Sequence, residues 1–313
     1  VYAIGQLVNG HLGDKISSRL LVFLGLFVSA AINIVFGFTK SLPMMVVLWG
    51  INGFFQSMLW GPIMETLSHW YPRSEGNGVA IAISTTGVAG YLLAWGLCGY
   101  ILLRTSWQYV FWIPGCIVLI FSVIWCVLMR DRPEEVGLSL GSEEASEPDY
   151  RQTDASCSMT LPQLILKAKL LPIGAACMMQ GLIKDSITIW GPKFMMDTQH
   201  LPLNSTLRLV VIIPIVNFFG VILAGWLNRK LPDQEKLASL ILYSAGVLAS
   251  LGLFIFSNIN AYLSLAFLSC SSALMSGANT ILLSIVPLKY ARYKKVSAVA
   301  GFLDFSVYIG SGA

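Results

Sequence analysis

The chain has 313 residues, 56% of them hydrophobic and only 12% charged, with a formal net charge of +4 and a mean hydropathy of +0.71. A water-soluble domain of this size carries about twice that share of charge, so a membrane class is indicated. The net charge says little about nucleic acid, because the bases sit in short loops. Five of the six cysteines (Cys98, Cys116, Cys126, Cys177 and Cys270) lie in apolar runs and Cys157 lies in a polar stretch. None forms a C-x-x-C pair, so neither a disulfide framework nor a metal site is expected.

Ten apolar runs follow one another, at residues 1–12, 20–39, 43–68, 77–103, 107–129, 165–195, 206–228, 237–257, 261–287 and 296–313. Crossing a bilayer takes about 20 mostly apolar residues. Lipid offers no partner to a bare peptide group, so every run is predicted to be helical. Pro62, Pro114, Pro172, Pro192 and Pro214 should start or kink helices rather than end them. Gly76, Gly78, Gly87, Gly90, Gly96 and Gly99 recur along the fourth run and are read as close-packing surfaces. Between residues 130 and 164 the chain turns rich in Glu, Ser and Asp, which gives a linker between residues 1–129 and residues 165–313. With the Gly10–Arg19 turn placed in the cytoplasm, fifteen of the twenty Lys and Arg residues fall on that side and four outside, leaving Lys184 within the membrane. The 130–164 linker is then cytoplasmic. Val1 and Ala313 both fall inside apolar runs, and the sequence reads as a fragment.

The turn Gly10-His11-Leu12-Gly13-Asp14-Lys15-Ile16-Ser17-Ser18-Arg19 has the spacing G-x-L-x-D-x-x-x-x-R, which resembles the loop between helices two and three of a major facilitator transporter. A degenerate copy stands at Gly225-Trp226-Leu227-Asn228-Arg229-Lys230. The stretches Asn52–Pro62 and His69-Trp70-Tyr71-Pro72, Arg130-Asp131-Arg132-Pro133-Glu134-Glu135-Val136-Gly137-Leu138, and Trp190-Gly191-Pro192 are similar to the organophosphate:phosphate antiporter family, whose members carry glycerol 3-phosphate or hexose phosphate or sense the latter. The resemblance implies an all-α membrane protein of two six-helix bundles, seen here from helix two into helix eleven. Residues 1–129 would be the N-terminal bundle (helices two to six) and residues 165–313 the C-terminal bundle (helices seven to eleven).

The resemblance also assigns site positions. The family's helix-seven Arg falls on Lys184, its helix-two Lys on Gln6 and its helix-five His on Thr86, while its helix-one Arg has no counterpart in these residues. An ammonium in mid-helix costs several kcal/mol in lipid, so Lys184 should face a wet cavity or an acid; the alternative is a plain pair with Asp185. Gln180 and Thr188 lie one turn to either side of Lys184 on the same face. Asp304, in the last apolar run, could neutralise Lys184 or carry a proton for coupling, or simply face water at a helix end. Asn52, Gln56 and Asn279 are polar residues inside helices, open either to solute contact or to bonding between helices. The resemblance makes Asp14 and Arg19 gating residues, Asp14 meeting the start of helix eleven near Ser297, and Glu65 a gate or loop partner for Arg73.

The function these features imply is secondary active transport of a small polar, anionic organic solute, such as a phosphorylated metabolite, by alternating access. Coupling would be antiport with phosphate or symport with a proton. A sugar-phosphate sensor signalling to a partner protein is the alternative. No enzyme, cofactor, metal or nucleic acid is expected. A monomer in the cell (inner) membrane is, with the solute and the lipid bilayer as its partners.

Overall fold

The computed structural model describes residues 1–72, 75–138, 161–167, 170–257 and 259–312. Arg73, the expected loop partner of Glu65, and linker residues 139–160 lie outside the described residues. The described residues are helical throughout, joined by turns. In chain order the helices are α1 (Tyr2–Gly13), α2 (Ser18–Phe38), α3 (Leu42–Gln56), α4 (Trp60–Trp70), α5 (Gly76–Arg104), α6 (Tyr109–Leu128), α7 (Leu161–Lys167), α8 (Leu170–Gln199), α9 (Leu203–Val210), α10 (Ile212–Lys230), α11 (Glu235–Phe256), α12 (Ala261–Asn279), α13 (Val286–Leu288) and α14 (Val296–Ser311). Among the described residues, seven stretches are long and apolar enough to cross a membrane: Ser18–Phe38, Leu42–Trp70, Gly76–Arg104, Tyr109–Leu128, Ile212–Lys230, Glu235–Phe256 and Ala261–Leu288. The 30-residue α8 has the length, but Gln180, Lys184 and Asp185 dilute its apolar run.

Among the described residues, three expected runs are interrupted. The run 43–68 breaks at Ser57–Leu59. Pro62 has no N–H to give the carbonyl four residues back, so the ladder stops there. Asn9 of α1 fills the break, donating through Nδ2 to Phe54 O at 3.2 Å and to Ser57 Oγ at 2.7 Å. The run 206–228 divides between α9 and α10 at Val211, with Pro214 in the first turn of α10. After Asn279, α12 widens into a π-helical turn over Thr280–Ile285, an arrangement that is rare and often found at functional sites. Pro62 and Pro172 likewise fall in first turns, whereas Pro114 and Pro192 lie inside α6 and α8.

The chain forms two compact units, which do not follow its order. The first comprises Val1–Gly76, Trp95–Pro172 and Pro287–Phe305, and the second Asn77–Ala94, Ile173–Val286 and Ser306–Ala313. In the first unit α2 lies against α6. Trp112 Nε1 donates to Ile34 O at 3.1 Å, and Gly37 leaves the room its indole needs. In the second, α10 and α11 pack on α12. A Cβ on Gly220 would run into Ala273 O, and one on Gly246 into Met275.

Close approach matters most where α14 enters the first unit. A Cβ on Gly10 would stand 2.8 Å from both Gly301 Cα and Ser297 O, and one on Gly61 would stand 2.7 Å from Ser297 Oγ. Gly13 faces the same hydroxyl, and Gly301 faces Gln6 O. The glycines of α5 behave otherwise, which corrects their reading as close-packing surfaces. No described atom lies within 4 Å of a Cβ built on Gly78, Gly87, Gly90, Gly96 or Gly99, and Gly76 meets only Leu288, at 3.7 Å. Their spacing suggested a contact face, but a small residue permits approach without requiring it.

Gly10→Ala should therefore lower the unfolding temperature of the detergent-solubilised protein by an overpacking penalty of about 1–3 kcal/mol. Gly87→Ala should leave it unchanged or slightly raised. Thermal unfolding of the two variants beside the unaltered protein checks the contrast.

Candidate functional site

Lys295, just before α14, offers no side-chain acceptor. A helix leaves its first N–H groups without partners inside it, and a local Ser, Thr, Asp or Asn commonly takes one of them. Here the acceptors come from distant segments. Ala298 N–H donates to Asp14 Oδ1 at 3.1 Å, and Ser297 N–H donates to Glu65 Oε2 at 3.2 Å. Lys295 Nζ donates to Asp14 Oδ2 at 3.2 Å. Glu65 Oε1 lies 3.4 Å from His69 Nε2, one turn along α4. The Asp14 side chain is fully enclosed. Burial pushes its carboxyl above the ordinary carboxylate range, while the Ala298 N–H, Lys295 and His11 act in the opposite sense. Two carboxylates on one helix start also suit the partial positive charge there.

Arg19 is engaged elsewhere. Its backbone N–H donates to Asp131 Oδ1 at 2.7 Å, its Nε donates to Cys126 O at 2.6 Å, and its carbonyl accepts from Trp125 Nε1 at 3.3 Å. It fastens the start of α2 to the end of α6 and does not join Asp14 and Glu65.

The other candidates of the first unit divide into two groups. Asn52 and Gln56 meet through Ser29, whose hydroxyl donates to Asn52 Oδ1 at 2.6 Å and accepts from Gln56 Nε2 at 3.2 Å. Asn52 is buried and Gln56 exposed. Gln6 is wholly buried; its Nε2 donates to Tyr2 OH at 2.8 Å, and its Oε1 has no hydrogen-bond partner. Asn9 Oδ1 is in the same position one turn on. Asp304 is buried on α14, one turn beyond Gly301.

In the second unit Lys184 stands at the middle of α8, its Nζ 3.4 Å from Asp185 Oδ1. The Ser311 hydroxyl of α14 donates to Asp185 Oδ2. Thr188 spends its hydroxyl on Lys184 O at 3.0 Å. Gln180 is wholly buried, and neither its Oε1 nor its Nε2 has a partner. Thr86 is exposed and donates to Ile83 O within α5 at 2.6 Å. Asn279 Oδ1 is buried without a partner at the entrance to the π-helical turn.

Sequence reasoning missed Asn9, Ser311 and Asn228, and named Asp185 only as the plain partner of Lys184, which is where the structure places it. Asn228 sits in the degenerate copy of the opening turn and donates through Nδ2 to Asn77 Oδ1 at 3.3 Å, while Gly225 receives Ile81. That copy was a signal available in the sequence. Among the described residues, no group of His, Cys, Asp and Glu could hold a metal ion.

Comparison with known proteins gives this arrangement a context. The Major Facilitator Superfamily model matches residues 1–313. The membrane sensor protein UhpC of Escherichia coli K12 is 25% identical over 99% of this chain and 72% of its own length. A probable hexose phosphate transport protein of Chlamydia trachomatis is 27% identical over 80% of this chain and 58% of its own length. The glycerol-3-phosphate transporter of Bacillus subtilis is 26% identical over 100% of this chain and 73% of its own length. Among solved structures, the transporter FucP in its outward conformation superposes with a TM-score of 0.68 at 13% identity, over 99% of this chain and 78% of that one. An inward-facing bacterial homologue of the lysosomal transporter Spinster gives 0.62 at 13% identity, over 99% of this chain and 70% of that one. At such identities the likeness is one of fold.

Replacing Asp14 by Asn removes the charge from both of its bonds at the start of α14, to Ala298 N–H and to Lys295 Nζ, each worth about 1.5–3 kcal/mol when charge-assisted. Cysteine at the fully buried Val299 should then be alkylated by a membrane-permeant maleimide about tenfold faster or more. Arg19→Gln should leave that rate within about twofold, since Arg19 holds a different junction.

Proposed function

Because the chain belongs to the Major Facilitator Superfamily, an integral multi-pass membrane class of transporters rather than enzymes, we propose that it carries a small polar, anionic organic solute across the membrane. The chemistry favoured is a phosphorylated metabolite exchanged for phosphate or moved with a proton. The single observation behind that choice is the half-buried ammonium of Lys184 in the middle of α8, on a chain whose relatives are named as hexose phosphate and glycerol-3-phosphate transporters. A cation placed there is costly unless it serves an anion or a wet path.

The mechanism is alternating access about that site. Residues 1–129 and 165–313 are the moving bundles, joined by the 130–164 linker on the cytoplasmic face of the inner membrane. Asp14 and Glu65 hold the start of α14 in one state and release it in the other; Arg19 keeps α2 and α6 moving as one body. Asp304, buried on the same helix, takes the coupling proton. The neutral residues offered to a solute are Gln180, Thr188, Thr86 and Asn279 in the second unit and Gln6, Asn52 and Gln56 in the first. The carrier works as a monomer.

One observation favours a second reading. UhpC, named as a membrane sensor, aligns with 99% of this chain, so ligand binding without flux would identify a sensor that signals to a partner protein.

Counterflow of labelled phosphate into proteoliposomes, with hexose phosphates and glycerol 3-phosphate as competitors, tests the proposal. Lys184→Ala should reduce exchange by at least a hundredfold while the protein still reaches the membrane. Undiminished exchange would remove Lys184 from the transport path.

A further inference from the structure

The loose pair at the middle of α8 carries an inference that deepens, and rests on, the transport reading. Lys184 Nζ and Asp185 Oδ1 are 3.4 Å apart, well beyond the 2.7–2.9 Å of a charge-assisted N–H···O bond. Neighbouring residues on a helix point about 100° apart and do not face one another. The ammonium is thus held near its neighbour's carboxylate without being saturated by it. Both side chains keep roughly a fifth of their surface open, 21% for Lys184 and 19% for Asp185.

The carboxylate, in contrast, has a second anchor. Asp185 Oδ2 accepts the hydroxyl of Ser311. That bond is supported by the backbone approach nearby, where Gly181 of α8 packs on Val307 O and Gly310 of α14 packs on Met178 O. If the ammonium leaves, Asp185 still has a partner. One turn before Lys184, on the same face, Gln180 is fully buried with both amide atoms unpartnered. Such a residue forgoes bonds that burial makes expensive to lose, and it offers one donor and one acceptor beside the cation.

We propose that Asp185 is a resident counter-anion that an incoming solute anion must displace from Lys184, with Ser311 retaining the displaced carboxylate and Gln180 bonding the solute. Asp185 is in this sense a specificity residue. It keeps the site neutral when no solute is bound, and its own charge stays close by, penalising each additional negative charge on the ligand. The ligand class that fits is an anion of low charge that also carries a hydroxyl: its oxyanion meets Lys184 and Gln180 Nε2, and its hydroxyl meets Gln180 Oε1.

Binding of inorganic phosphate to the purified, reconstituted protein tests this without requiring flux. Asp185→Asn should tighten phosphate binding about tenfold, and Ser311→Ala, which removes the anchor of the displaced carboxylate, should loosen it about threefold. The gain should vanish when Asp185→Asn is made together with Lys184→Ala. Asp185→Asn that folds, by its thermal transition, yet binds no tighter would overturn the proposal. So would an equal gain in the Lys184→Ala background, which would make Asp185 a distant field rather than a competitor. If Asp185→Asn does not fold, Ser311→Ala decides instead: unaltered affinity overturns the proposal. Loss of exchange on Lys184→Ala without any gain from Asp185→Asn would leave the transport reading standing and remove only this one.

Discussion

A helix whose N-terminus is buried must find acceptors for its first amides, and Lys295 at the cap position of α14 supplies none from its side chain. Lys295 precedes it, and Val296, Ser297 and Ala298 open it. Asp14 and Glu65 supply the acceptors, one from the α1–α2 turn and one from α4. The constraint reaches outward from there. Two buried carboxylates can be brought to one helix end only if the backbones come close, and Gly10, Gly13 and Gly61 give Ser297 that room. The acid of the opening turn, Glu65 of α4 and the glycines of α1 all serve one junction. In a carrier that must open and close, such a junction has the right character. It is strong enough to hold, yet made of a few directional bonds that can be lost together.

Much of the fold was legible because lipid leaves a chain so few choices. Ten apolar runs correspond to helical stretches, and among the described residues three of them hold interruptions the runs did not show. Hydropathy reports how long a segment is apolar and cannot register a missing N–H. The break at Ser57–Leu59 is written in Pro62, four residues past the carbonyl it fails to bond, and in Asn9, which lies 48 positions from its partner Ser57. The π-helical turn after Asn279 has no sequence marker of comparable clarity. The α5 glycines misled in the other direction, since their spacing is that of a contact face with nothing built against it.

Side-chain partners were harder to read. Asp14 stood out because an acid between apolar runs is uncommon, and Lys184 because a mid-helix cation is costly. Which neighbour each would take depends on helix rotation and on contacts far along the chain, so the Asp185 pair stood only as an alternative and Ser311 went unnoticed. The repeat of the opening turn is instructive on this point. Where the first copy carries an acid, the second carries Arg229, and the contact made there is between two amides, Asn228 and Asn77. The two copies thus keep a similar glycine fit but differ in chemistry, the first ionic and the second neutral.

Gating at this junction rests on the amides of Ser297 and Ala298. Hydrogen–deuterium exchange of residues 296–300 in the reconstituted protein, at rest and during phosphate exchange, reads them directly. Strong protection at rest, falling during turnover while the middle of α2 stays protected, is the predicted result. Equal protection in both conditions, with exchange proceeding, would mean that α14 never leaves Asp14 and Glu65 and that the junction is structural rather than a gate.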